Sequence, residues 1–201
     1  MELPMFPLGT ALVPGQVLPL HVFEPRYRAL VDACLAGGRC FGVVLIERGS
    51  EVGGGDTRFE VGTVARITEM AEFPDGRYAL VCVGTNRFRV GQWLPDDPFP
   101  RAEVEVLTDP EAGADALAGR EQVVAGLARV VDAARALGAE VPDDLELADD
   151  PFQAGWDATA MAPIGPIDVL EILHEDDPVL RLGRISTALG EAAELLELRL
   201  S

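Results

Sequence analysis

Apolar and polar positions alternate through the first half of the chain at the period of β-strands. Gln16–Phe23 runs apolar around Pro19, which suits an edge strand or a bulge, because proline cannot donate to a central ladder. Phe41–Ile46 is a continuous apolar run of strand length. Val61–Met70 alternates, with Val61, Thr63, Ala65 and Ile67 against Gly62, Val64, Arg66 and Thr68. Tyr78–Gly84 and Asn86–Trp93 predict two further strands, the second with Phe88 and Val90 on one face and Arg87 and Arg89 on the other. Asp75-Gly76, between Val64–Glu72 and Tyr78–Val83, is a hairpin signal, since glycine reaches positive φ without strain. Glu103–Leu107 closes a series of about six short strands, the pattern of a small barrel or folded-over sheet.

One helix interrupts the strands. It starts at Glu24-Pro25, where proline in the first turn loses no needed N–H. Its apolar face is Tyr27, Leu30, Val31 and Cys34, and Gly37-Gly38 ends it. The glycine-rich run 49–56 reads as a loop, either a plain surface connection or a contact edge. After Asp109-Pro110 the period changes to about 3.6, marking a boundary between a β part and a helical part. Leu117, Val124, Leu127, Val131 and Ala134 form the predicted stripe of a helix ending near Gly138. The segment Glu140–Asp150, with its six carboxylates, reads as a solvated linker. Asp150-Pro151 opens a helix carrying Phe152, Trp156 and Thr159 that stops at Ala162-Pro163. A short helix covers Ile167–His174. Asp177-Pro178 opens the last one, with Leu182, Ile185, Leu189, Ala192 and Leu196 on its stripe, which either seals the core or pairs with another chain; the core is favoured.

Composition narrows the chemistry. All sixteen basic residues are arginine, so a P-loop lysine, a Schiff base and a Ser-Lys dyad are excluded. The net charge of −18 is uneven: residues 1–108 carry 10 Arg against 14 acids, and residues 109–201 carry 6 Arg against 20. Such a field repels nucleic acid and anionic membranes. No apolar run approaches membrane-spanning length and the start lacks a basic secretory leader, so a cytoplasmic location is expected. Cys34, Cys40 and Cys82 form no C-x-x-C pair and read as reduced, buried thiols. His21 and Glu24 are ligand types three residues apart, but the other histidine, His174, is far off in sequence. No metal or cofactor is expected, and His21 reads as a packed residue at a strand end. Ser50, Ser186 and Ser201 lie outside any G-x-S-x-G motif, and the chain reads as non-catalytic.

Leu3-Pro4-Met5-Phe6-Pro7-Leu8 is followed by Pro14-Gly15-Gln16-Val17-Leu18-Pro19-Leu20-His21-Val22-Phe23-Glu24-Pro25-Arg26-Tyr27-Arg28. Phe41–Ile46, Val61–Ala65, Pro74–Tyr78 and Gly84–Val90 come next in order. In that order and spacing the chain resembles the N-terminal substrate-recognition domain family of Lon proteases, as a stand-alone bacterial member without the ATPase and peptidase. The resemblance is close through the β half and looser in the helical half. It implies an α+β fold: a PUA-like β-barrel with one helix over residues 1–108, then a helical bundle over 109–201 packed on it. It also implies recognition of unfolded or apolar protein segments, with a separate protease or chaperone as further partner, and no nucleic acid or membrane partner.

The residues expected to bind peptide are Glu24, Arg26, Tyr27, Arg66, Arg87, Phe88, Trp93 and Phe99. Glu24, Arg26 and Tyr27 belong to the densest motif, where an arginine fork that merely holds carboxylates or loop carbonyls is the alternative. Arg66, Arg87 and Arg89 would offer a cationic edge if they converge. Phe88, Trp93 and Phe99 belong to the aromatic pool for an apolar groove, expected at the β/α junction beside Pro95–Pro100. A small-molecule sensor using the same cleft and an RNA-binding barrel are the rival readings.

Overall fold

The computed structural model describes residues 1–49, 57–142 and 145–200, so the glycine-rich run expected as a contact edge lies outside the described residues apart from Gly49. The chain divides into two compact units, Met1–Thr108 and Asp109–Ser201. The fold is α+β, as the pattern predicts. The first unit contains β1 (Glu2–Leu8), β2 (Val17–Val22), α1 (Pro25–Ala36), β3 (Cys40–Arg48), β4 (Thr57–Glu72), β5 (Tyr78–Leu94) and β6 (Arg101–Val106). Strand pairing closes a ring: β1 runs parallel to β3, and β3–β4, β4–β5, β5–β6 and β6–β1 are antiparallel. Closure pairs the strands of the ring with one another and leaves β2 to carry an open edge. β2 stands outside the ring, antiparallel to the first half of β5 from Val17↔Val83 to Val22↔Tyr78.

Two departures from the predicted strands have local causes. The pattern predicts no strand at β1, where Pro4 and Pro7 interrupt the alternation, yet its edges are shared between β3 and β6. The two strands expected at Tyr78–Gly84 and Asn86–Trp93 are one 17-residue strand. Gly84 sits where it changes neighbours, donating its N–H to the Gln16 carbonyl at 2.9 Å and accepting from the Gly15 N–H at 2.9 Å. A Cβ at Gly84 would collide with the Val13 carbonyl, so glycine here marks a close backbone approach, not a strand end. The Asp75-Gly76 hairpin forms as read, with Gly76 at φ 77°.

The barrel unit has two cores. One, between the sheet and α1, gathers Phe6, Tyr27, Leu30, Cys34, Phe41, Cys82 and Phe99. The other, which includes Met5, Val44, Phe88, Val90 and Val104, is centred on Phe88, packed where Gly42 and Gly62 leave room for its ring.

The second unit contains α2 (Ala114–Ala136), α3 (Pro151–Met161), α4 (Pro166–His174) and α5 (Pro178–Glu197). Asp150 caps α3 by accepting from the Gln153 N–H at 2.8 Å, and Asp177 caps α5 by accepting from Val179 and Leu180 N–H. The predicted stripe of α2 is rotated by one residue. Ala116, Val123, Leu127, Val130 and Ala133 are buried, whereas Leu117 and Val124 are exposed. The contact with α5 is made through Gly119 and Gly126, against Leu182 and Leu189, so small residues define the buried face and large ones mislead. The acidic segment is also more than a solvated linker in its described part. Arg120 donates to the Ala148 carbonyl at 3.0 and 3.1 Å and Arg135 to the Pro142 carbonyl at 2.9 Å. Leu145 and Leu147 line a hollow with Val124 and Val131. Arg181 is fully buried, with its guanidinium paired to Asp109, donating to the Glu175 carbonyl and lying 4.9 Å from the Trp156 ring. No described helix is long and apolar enough to cross a membrane.

Candidate functional site

The strand outside the ring and the helix that follows it make the candidate site. β2 pairs only with β5 among the described residues. Pro19, opposite Val81, lacks an N–H, an arrangement tolerated at a sheet edge and not in a central strand. Val17 is 59% exposed, and Phe23, just past the strand, is 55% exposed. Beside them opens a hollow of about 210 Å³ lined by Phe6, Leu8, Pro19–Glu24 and Tyr27. Large apolar side chains grouped around a concavity on an open strand edge are unusual on a soluble surface and mark contact sites.

The corner between β2 and α1 is held rigidly. Pro25 occupies the first turn of α1, and the Arg28 N–H donates to the Glu24 carbonyl at 2.9 Å. Arg26 donates from Nε to the Glu24 carboxylate at 3.2 Å and lies 4.3 Å over the Tyr27 ring. Tyr27 stacks on Phe6 with centroids 4.1 Å apart, and Phe6 leans on Phe41 at 5.8 Å. Tyr78 ties α1 to the sheet by donating to Asp32 at 2.7 Å. That hydrogen bond, with burial, pushes the phenol up to about 12.

Glu24, Arg26 and Tyr27 are therefore together, with Tyr27 buried as a wall of the hollow and Phe99 buried in the same core. The other candidates lie apart from them. Phe88 has no exposed surface, because the closed ring places it inside the barrel; it is unavailable for surface contact. Arg87 is buried opposite Thr63, Arg66 is exposed opposite Val83, and Arg89 is half-buried. The expected shared cationic edge is thus not formed. Trp93 is half-buried, with Arg58 4.9 Å over its ring and bonded to Asp96 at 3.2 Å. Sequence reasoning passed over Val17, Leu20 and Phe23. Their signal was a proline within an apolar strand, which identifies an edge, and apolar residues on an edge strand are those left uncovered.

His21 is exposed, not packed as expected, because it falls on the outward alternation of β2. Among the described residues no group of three or more metal-ligating side chains assembles. Burial pushes the Cys34 and Cys82 thiols up to about 12, with Cys40 and Cys82 adding to the effect at Cys34. Cys34 Sγ donates to the Cys40 carbonyl at 3.3 Å. These thiols are held in the unreactive protonated form.

The family model described as the ATP-dependent protease La (LON) substrate-binding domain matches residues 2–190. "Lon protease 2" of Herpetosiphon aurantiacus is 29% identical over 98% of this chain, which spans 25% of that relative. The Lon protease of Cytophaga hutchinsonii is 33% identical over 73% of the chain and 18% of the relative. The chain thus covers a quarter or less of these two relatives. The crystal structure of a Lon N-terminal domain protein from Xanthomonas campestris superposes with a TM-score of 0.67 at 29% identity, over 93% of this chain and 98% of that one. The N-terminal domain of the Mycobacterium avium complex Lon protease, at 17% identity, shares the fold with a TM-score of 0.64 over 95% and 99% of the two chains. With the family model matching residues 2–190, nearly its whole length, the chain belongs to the LON substrate-binding domain family.

Proposed function

We propose that this chain is a non-catalytic module that binds protein segments presenting apolar side chains, with the β2 edge and the hollow beside it as the docking site. The observation that carries the reading is the exposure of Val17 on a strand open along one edge and of Phe23 just past its end, next to an apolar hollow. An extended segment adds main-chain hydrogen bonds to that edge, and its alternate side chains reach Phe23 and the hollow. Unfolded chains offer both features at once, whereas folded proteins bury them. Membership in a substrate-binding family supports protein as the ligand, and a separate protease or chaperone would receive what is bound.

The size of the hollow favours this reading over a metabolite sensor. At about 210 Å³ it takes one or two side chains, below the roughly 300 Å³ at which small-molecule pockets begin. The net charge of −18 opposes RNA binding. The Glu24–Arg26–Tyr27 cluster serves as the frame that keeps Phe23 presented, and Trp93 belongs to a separate surface.

The test is binding of the purified chain to labelled peptides rich in Phe and Leu, followed by anisotropy. Saturable binding is expected, and Val17→Asp with Phe23→Asp should weaken it by about tenfold, or about 1.4 kcal/mol. Binding unchanged in that variant would move the site elsewhere. Absence of binding to every apolar peptide would sink the proposal.

A further inference from the structure

The helical unit carries a second concave surface, distinct from the β2 edge. Between α4 and α5 runs a groove of about 600 Å³. Ile172, Leu180 and Ala188 give it an apolar lining, and Leu180 is 60% exposed. Asp168, Glu171, Glu175 and Glu191 line the groove, with Arg184 as its only basic residue among the described ones. Glu175 is already engaged: it accepts from Arg184 at 2.9 Å and from the Asp177 N–H at 3.2 Å, which holds its carboxyl below the usual range. Asp168, Glu171 and Glu191 make no ion pair among the described residues. Three uncompensated carboxylates thus surround an apolar floor.

We infer that this groove docks a basic amphipathic helical segment of a partner protein. Asp168 and Glu171 stand three residues apart on one face of α4, and Glu191 lines the α5 wall, so a second helix laid in the groove matches them with Lys or Arg side chains about one turn apart. Apolar residues on the same face of that helix cover Leu180 and Ile172. At Gly183 a Cβ would meet nothing within 4 Å, so the α5 wall offers open space there. Charge decides against a second copy of this chain as occupant. The helical unit has 6 Arg against 20 acids and no lysine, so another copy would add negative charge to a surface already short of positive charge.

The experiment uses the intact chain and a fluorescein-labelled helical peptide with Leu on one face and Lys on the other. A scrambled peptide of identical composition and a Leu/Glu peptide serve as probes of shape and sign. Saturable binding of the Leu/Lys helix is expected, with the scramble weaker by about tenfold and the Leu/Glu peptide not bound. Glu171→Arg with Glu191→Arg should weaken binding by about tenfold or more, whereas the charge-matched pair Glu69→Arg with Glu121→Arg changes it by no more than about twofold. Gly183→Trp fills the groove without altering charge and should weaken binding by about tenfold, which keeps the test decisive if the charge-reversed variant fails to fold. Equal losses from the two charge-reversed pairs, or equal binding of helix and scramble, would reduce the effect to general attraction by a −18 chain and overturn the proposal. No binding of the Leu/Lys helix would overturn it as well. Val17→Asp with Phe23→Asp should leave this binding intact, so the two sites fail or hold separately.

Discussion

The barrel unit and the helical unit both depend on glycines at their tightest contacts, but the consequences differ. In the barrel, Gly42 and Gly62 make space for one large ring, Phe88, enclosed by a closed ring of strands. In the helical unit, Gly119, Gly126 and Gly155 let α5 approach α2 and α3 through Leu182, Leu189 and Ile185. The first arrangement seats one large ring against two glycines; the second spreads such contacts along a helix. Charge separates the units further, with 10 Arg against 14 acids in residues 1–108 and 6 against 20 in residues 109–201. The barrel therefore has an apolar strand edge in a nearly balanced field. The helices surround an apolar groove with carboxylates. Two surfaces of such different chemistry are suited to different partners, and we propose extended apolar segments for the first and basic helices for the second.

This contrast is open to direct attack, because each unit holds one tryptophan, Trp93 in the barrel and Trp156 in the helices. Variants retaining one or the other follow each unit's unfolding in urea. The largest effect is expected from Phe88→Ala, which empties the barrel core and should cost about 3–5 kcal/mol read from Trp93, with Trp156 the control for an effect confined to the barrel. Next comes Arg181→Ala, read from Trp156. It removes the buried ion pair to Asp109 and uncovers the Trp156 ring, and about 3 kcal/mol is expected, because Asp109 keeps some contact with solvent. An equal loss reported by both tryptophans in either variant would erase the distinction between the units.

Alkaline pH should sharpen it. Cys34, Cys82 and Tyr78 are held protonated in the fold, at about 12, against ordinary values of 9.0 for the thiols and 10.0 for the phenol. The unfolded chain ionises first, so the stability these groups contribute is complete below pH 9 and is lost as pH climbs toward about 12. Under reducing conditions the Trp93 transition should fall with pH across that window, and Cys82→Ala should flatten part of the slope. A Trp93 transition level from pH 9 to 11 would contradict the burial assigned to these groups. Smaller still, Asp150→Ala removes the cap of α3 and should cost about 1 kcal/mol at Trp156. The half-exposed Arg129–Glu197 pair should contribute less than about 1 kcal/mol, so Arg129→Ala serves as the baseline.

Much of this was legible beforehand for identifiable reasons. Proline in the first turn and aspartate at the cap set where α3 and α5 begin, and Asp75-Gly76 set the hairpin, because those features act within a few residues of themselves. The β2–α1 corner was visible as a motif for the same reason. The sequence was misleading where a position's role depends on what packs against it. Leu117 and Val124 look like the core face of α2 until Leu182 and Leu189 are seen to rest on Gly119 and Gly126. Phe88 reads as a site aromatic until ring closure encloses it, and Gly84 reads as a strand end until β2 and β6 are seen to share β5 between them.

What the sequence determined by itself, then, is most of the elements, though not β1 or the continuity of β5, with their caps and turns, the change from strand to helix period near Asp109, and the unequal distribution of charge. All of these depend on neighbours along the chain or on composition. Tertiary structure alone decided which apolar residues are buried and which remain outside as Val17, Phe23 and Leu180. Burial is a property of the surface that arrives from a distant part of the chain, and no local pattern contains it.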